Sequence, residues 1–348
     1  MKNAVKHFLF IPLLFLLSVS ASAQDDDKKF DNLMEYGIHS HDNGAYDEAI
    51  HYYKQALAIK PKSGMANYEI AYSYSMKNDK KEAIKYCDLV LKHGEKQSHQ
   101  LAYILKGNCL DELGKRKESI KVYKKGIKEC GDYYLLHFNL GCTYVNDKND
   151  KLGEEAFIKA IELNPFHPGS NYQLGMLGAK YNRPTHTVYP LLYFLMLEPQ
   201  GKRAQTALAT LRFTLSPKIS EEEGGKTVVH IILDDKSDFS MVDMMISMIG
   251  ASKVSSKDSI VSESESFKKE ISEVLSVVIL DKQEDKKTNI WRSVYFPLFK
   301  ALAKSEHMEA FCYYIRQSTD EEAQKWLDEN QDKVKSFVGW FNNFYAKE

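Results

Sequence analysis

Apolar residues between positions 134 and 201 recur with the spacing of helices, and the pattern then repeats itself. Leu136, Leu140 and Tyr144 stand at i, i+4 and i+8, which places them on one helical face. The polar cluster Asn146 to Asp150 interrupts the run as a turn. Phe157, Ala160 and Ile161 line a second helix. Asn164-Pro165 ends it, because proline lacks an N–H and disfavours a helical conformation in the residue before it. Leu140-Gly141 returns as Leu174-Gly175, Ala160 returns as Phe194, and Pro165 returns as Pro199. The period is about 34 residues, the length of a helical-hairpin repeat. One hairpin cannot bury its apolar face alone, so such repeats must stack.

Earlier copies run in phase with this pair. Repeats begin at residues 30, 64, 100, 134 and 168, the second carrying two extra residues. Tyr36-Gly37, Ala49, Tyr53, Ala56 and Pro61 mark the first, and Ile70-Ala71, Tyr74, Ala83 and Cys87 the second. Gly107, Leu110, Tyr123 and Gly126 mark the third, where Ser119 replaces the first small alanine. In the fifth, Leu174-Gly175, Leu191 and Pro199 agree, while Thr187 and Phe194 depart from the pattern. Over roughly residues 30–201 the chain resembles the tetratricopeptide repeat (TPR) family. The resemblance implies an all-α solenoid of about five hairpins. Fold of this kind does not by itself fix function.

Lys202 to Leu215, with Ala204, Ala207, Leu208 and Leu211 on one face, reads as the helix that caps the array. Ser216-Pro217 and Glu221 to Gly225 read as a linker, and the repeat period stops there. The expected domains are therefore a solenoid over 30–215 and a mainly helical domain over 216–348. The β-branched run Thr227 to Leu233 is compatible with a short strand. Met241, Met244, Met245 and Met248 fall at helical spacing, a pattern expected to fill a core in preference to forming an adaptable binding surface. Ser252 to Glu265 reads as a loop. Phe267–Gln283, Ile290–Leu302 and Met308–Ile315 read as helices, the second bent at Pro297. Ser318 with Glu321 has the form of a capping box before a helix holding Trp326 and Leu327. A last helix carries Val334, Phe337, Val338, Phe341 and Phe344.

The first 23 residues have a different character. Lys2 and Lys6 precede a short apolar run from Phe8 to Leu17, followed by Ala21-Ser22-Ala23. This is the form of a secretory signal peptide over 1–23, with a mature chain beginning near Gln24. An uncleaved anchor is the alternative. Residues 24–29 are expected to be a disordered, charged lead-in. No later run is long enough to span a membrane, so no integral segment is expected after cleavage. The expected location is the periplasm of a Gram-negative type of bacterium, with secretion as the alternative.

Charge adds little. The 348 residues carry 47 basic and 48 acidic side chains, which excludes the basic field of a nucleic-acid binder. The five cysteines include no Cys-x-x-Cys pair. A Cys109–Cys142 disulfide and a set of buried thiols are both compatible with the pattern, and the core position of Cys87 favours the thiols. His39, His41 and His51 are close in sequence, but His39 and His41 point to different faces of one helix, so an exposed polar role is expected. No catalytic motif is present and no metal or cofactor site is expected.

What remains is a groove. The TPR resemblance implies that positions five and nine of each repeat face the partner side of the array. These are Met34 and Ile38, Tyr68 and Tyr72, Ile104 and Asn108, Phe138 and Cys142, and Tyr172 and Met176. The family's carboxylate-clamping variant needs Lys and Asn at such positions, and only Asn108 matches. The candidate groove is thus Tyr68, Tyr72, Asn108, Phe138, Tyr172 and Met176, with Asn108 suited to bond an extended peptide backbone. Either a protein or peptide partner covers these residues, or the chain's own C-terminal domain does. The expectation is a non-enzymatic scaffold; the alternative is an envelope enzyme whose C-terminal domain holds the active site.

Overall fold

The computed structural model describes residues 12–222, 226–232, 237–255, 262–280 and 289–345. Lys2, Lys6 and Phe8 of the signal-like segment lie outside these residues, as do Glu223 to Gly225, Leu233, the middle of the Ser252–Glu265 segment and the Gln283 end of the next helix. The chain forms two compact units, one ending at Asn149 and the other beginning at Asp150.

The first unit is a run of hairpins. Its helices are α1 (Pro12–Asp42), α2 (Tyr46–Ile59), α3 (Gly64–Met76), α4 (Lys80–His93), α5 (Lys96–Glu112), α6 (Arg116–Cys130) and α7 (Tyr134–Asn146). Each packs on the next, and α1 also meets α3, α3 meets α5 and α5 meets α7. The first helices of successive repeats therefore line up side by side. The expected irregular lead-in is helical, since α1 runs without a break through Asp25 to Lys29. The core alternates between repeats: Met34, Tyr53, Ala56 and Ile70 form one cluster, and Ala71, Cys87, Val90, Leu105 and Cys109 form the next. Gly37 and Gly107 admit the rings of Tyr53 and Tyr123; a Cβ at either would come within 2.3 Å of the ring. Both tyrosines are fully buried as a result.

The second unit starts with α8 (Asp150–Leu163), α9 (Pro168–Lys180), α10 (Pro184–Leu197) and α11 (Gly201–Leu215). The stretch expected as a linker forms a hairpin instead. Strand β1 (Lys218–Glu222) pairs antiparallel with β2 (Lys226–His230), with Ile219 opposite Val229. Then come α12 (Ser240–Ser255), α13 (Glu263–Leu280), a π-helical turn (Trp291–Tyr295), α14 (Phe296–Ala303), α15 (Met308–Tyr314), α16 (Glu321–Glu329) and α17 (Gln331–Phe344). The Phe296 N–H reaches back to the Trp291 carbonyl, five residues away. That wider turn is where Pro297, which has no N–H to give, enters the helix.

Helix α10 lies at the core of the second unit. Val188 to Met196 are buried on every side, including Tyr189, Leu192, Tyr193, Phe194 and Leu195. A helix apolar all round must be surrounded, and α10 packs against α9, α11, α12 and the π-helical turn. The Tyr189 hydroxyl donates to the Val274 carbonyl at 3.2 Å, and the Tyr295 hydroxyl donates to Asn171 at 2.7 Å. Buried Asp243 of α12 accepts from the Thr185 N–H at 2.6 Å, so an acid from a distant helix caps the start of α10. Phe194, off the repeat pattern, packs on Tyr172 of α9 and lies 5.6 Å from the Arg203 guanidinium of α11.

Two smaller expectations change, and a third, that of free thiols, holds. The methionine stripe on α12 is not core: Met241 and Met248 are 63% and 52% exposed, while Phe239, Val242 and Ile246 make the buried face. The cap of α16 is Asp320, whose carboxylate accepts from the Ala323 N–H at 3.2 Å, and not Ser318. All five cysteines are free thiols.

Candidate binding groove

In the first unit the groove residues start from α3. Helix α3 buries Ala66, Ile70 and Ala71 against its neighbours, and this turns Tyr68 and Tyr72 outward. Tyr72 is 38% exposed and Tyr68 half-buried. Their rings lie nearly parallel, at 7°, with centroids 6.3 Å apart. His41, at the end of α1, stacks on Tyr72 at 4.8 Å, and Tyr46 meets His41 edge-on at 5.1 Å. The His41 ring also hydrogen-bonds the Ser73 hydroxyl at 2.8 Å. Four rings from three helices thus form one ladder. His41, expected in an exposed polar role, is half-buried within it, and burial lowers its pKa against the opposing pull of Asp42.

Beside the ladder lies an open cleft of about 1030 Å³. Ile38, Met65, Tyr68 and Leu101 give it an apolar wall from α1, α3 and α5, and its charged lining is Lys60, Lys62, Glu69 and Glu95. Met65 and Leu101, both well exposed, were missed by the sequence reading. They occupy the second position of their repeats, and an apolar residue that no core face requires was the available signal. Glu69 has no hydrogen bond or ion pair within the described residues. Burial, and then the nearby Asp42 charge, push its carboxyl above the usual range.

The other sequence-derived positions divide. Met34 is core and not groove, at 5% exposure. Ile38 is exposed and lines the cleft. Asn108 is half-buried, and its side-chain carbonyl accepts from the Tyr123 hydroxyl at 2.5 Å. Tyr123 belongs to the same repeat, so that acceptor is already engaged at home. Ile104, Phe138 and Cys142 are half-buried. Burial pushes the Cys142 thiol up to about 12, which removes it from thiolate chemistry.

In the second unit the chain itself covers the equivalent positions. The Tyr172 ring packs on Phe194 at 5.0 Å and lies 5.8 Å from the Arg203 guanidinium. Met176 sulfur accepts from the Thr210 hydroxyl of α11 at 3.8 Å. Both side chains are half-buried beneath α11, whereas Tyr68 lines an open cleft and Tyr72 is exposed. Among the described residues no group of three His, Cys, Asp or Glu side chains is placed to hold a metal ion. No helix of the described residues is long and apolar enough to cross a membrane.

This architecture defines a class, the helical-hairpin repeat proteins. Family models described as tetratricopeptide repeat match residues 40–106, 101–133 and 135–167. Residues 40–167 thus carry tetratricopeptide repeats. No curated protein matches the chain in sequence. Solved structures are similar to part of the chain at low identity. A thermophilic TPR protein of Thermus thermophilus is 17% identical, with 52% of this chain and 98% of that one covered and a TM-score of 0.45. Pseudomonas aeruginosa pilF is 18% identical, with 55% and 90% covered and a TM-score of 0.44. MamA from Desulfovibrio magneticus is 20% identical, with 49% and 95% covered and a TM-score of 0.42.

Proposed function

We propose that this chain is an exported, non-enzymatic scaffold of a bacterial cell envelope. It holds a segment of a protein partner against the aromatic face of its first repeats. The observation that carries the reading is the open cleft of about 1030 Å³ beside the His41–Tyr72–Tyr68 stack. Aromatic rings held rigid by one another supply large contact area at small entropic cost, and exposed apolar surface of this kind marks interaction sites. The signal-like residues 1–23 support export.

The test has two parts. The chain recovered from an envelope fraction is sequenced from its N-terminus; a start at Gln24 is expected, and recovery of the intact chain from cytoplasm alone contradicts export. Envelope extract is then passed over the immobilised chain and its Tyr72→Ala variant. A partner retained by the first and lost by the second, with circular dichroism unchanged, supports the groove. Equal retention by both removes Tyr72 from the binding surface.

A further inference from the structure

Four of the chain's eleven methionines stand between positions 241 and 248, on α12. Met241, Met244, Met245 and Met248 follow at i, i+3, i+4 and i+7, so each has two of the others as neighbours on the helix surface. Their Cβ atoms outline a rhombus with sides of about 5–6 Å. Its far corners, Met241 and Met248, are separated by about 10 Å along the axis. The helix is held from its other side, where Val242, Ile246 and Gly250 are buried. The stripe is turned away from that packing: Met241 and Met248 are well exposed, and Met244 and Met245 are half-buried. The two charged residues of α12 are engaged elsewhere. Asp243 is buried and accepts from the Thr185 N–H at 2.6 Å, and Lys253 pairs with Glu270. The stripe therefore presents sulfur with no carboxylate of its own helix beside it.

Packing does not explain these four side chains, and the outward face of a helix is ordinarily polar. What they share is a thioether, a soft and uncharged donor with no proton to lose. Thioethers select Cu(I), whereas carboxylates and carbonyls suit the hard ions. Each methionine arm turns about three bonds. An ion above the middle of the rhombus lies about 5 Å along the axis from either far corner, which such arms can span. We infer that this face of α12 holds a monovalent copper ion, Cu(I), through the sulfurs of Met241, Met244, Met245 and Met248. Met241 and Met248 close over the ion from the two ends, and Met244 and Met245 hold it from the sides. The site lies in the second unit and owes nothing to the groove of the first. A face used only for apolar contact would serve as well with leucine in place of methionine, and that difference can be measured.

The full chain is labelled at its methionine methyl carbons and titrated with silver ion, a redox-inert stand-in of the same charge and softness. Each methyl resonance is assigned by a single Met→Leu change and followed by NMR. Met65 and Met76, exposed at 61% and 48% on α3, are the controls for a methionine outside the stripe. All signals come from one sample, so silver taken up by the five thiols affects every methionine alike. The stripe signals are expected to move together, at about tenfold lower free silver than those of Met65 and Met76. In Met241→Leu/Met248→Leu the signals of Met244 and Met245 should respond no more readily than Met65. Both changed residues are exposed and the swap conserves volume, so the fold is kept, as circular dichroism will verify. Zinc ion should move none of the stripe signals. Cu(I), added without oxygen against a coloured chelator, should be held about tenfold more weakly by the double variant. A stripe that responds like Met65 and Met76 overturns the site. So does a response of Met244 and Met245 that the double variant leaves unchanged, or equal retention of Cu(I) by both chains.

Discussion

Position fifteen of every repeat holds a residue in the left-handed region. Gly44, Asn78, Gly114, Lys148 and Asn182 have φ of 76°, 67°, 75°, 64° and 52°. In each repeat the following N–H reaches the carbonyl five residues back, as from Ala45 to Ser40 and from Arg183 to Gly178, both at 2.9 Å. This is the glycine-type helix stop, written five times, and its spacing reproduces the two-residue insertion in the second repeat. Another single residue sets the acid response of the second unit. Burial, with the Arg183 charge adding to it, pushes the His186 imidazole down to about 3. Glu154 lies 4.0 Å away and would pull the other way, but it is engaged by Arg183 at 3.0 Å. The unfolded chain protonates this histidine near 6.5. Between the two values the unfolded state binds more protons, so the stability from His186 is complete above about pH 6.5 and declines as pH falls. The loss at pH 5 is about 2 kcal/mol relative to pH 7. The three tryptophans all lie at or beyond Trp291, so their fluorescence follows this unit alone. Urea melts should show a difference between pH 7 and pH 5 that shrinks by about 2 kcal/mol in His186→Gln. An unchanged difference would assign the acid sensitivity elsewhere.

At the scale of elements, the first repeats were legible because one physical requirement is repeated. A small residue at position eight and a ring or apolar group at position twenty-four must meet between antiparallel helices, and Gly37 with Tyr53 and Gly107 with Tyr123 show this in sequence and structure alike. Helix α10 was legible as a helix but not as a centre. Burial on every side leaves no periodicity to read, and its partners in the C-terminal helices are far along the chain. The same distance hid its cap. Asp243 reads in sequence as one more acid on α12, yet it is the acceptor at the first turn of α10. Asp243→Ala should lower the stability of the second unit by about 1–2 kcal/mol in the same urea melts. A loss under about 0.3 kcal/mol would mean that the contact is not what holds this end of the helix. The methionine stripe was misread for the converse reason. Its helical spacing is real, but Phe239, Val242 and Ile246, on the neighbouring face, do the packing.

At the scale of the whole molecule, the repeats serve two ends. In the first unit Tyr68, Tyr72 and Ile38 remain open beside a cleft. In the second the corresponding Tyr172 and Met176 are packed by α11, and the repeat itself becomes the core of a larger helical body. The element that covers Tyr172 and Met176 is α11, the helix expected to cap the array, and not the chain from 216 onward. A cut after Leu215, at the sequence-derived boundary, should not release an intact solenoid. It strips α10 of α12 and the π-helical turn, so hydrogen exchange should show α10 losing most of its protection in that fragment relative to the full chain. Protection retained in α10 would contradict its role as the shared core.

The measurement that bears most directly on the account places a photo-crosslinking amino acid at Tyr72, and separately at Lys85 on the exposed side of α4, in living cells. A discrete cross-linked partner is expected from position 72 and none from position 85. The same product from both positions, or none from position 72, would contradict the aromatic face of the first repeats as the working surface.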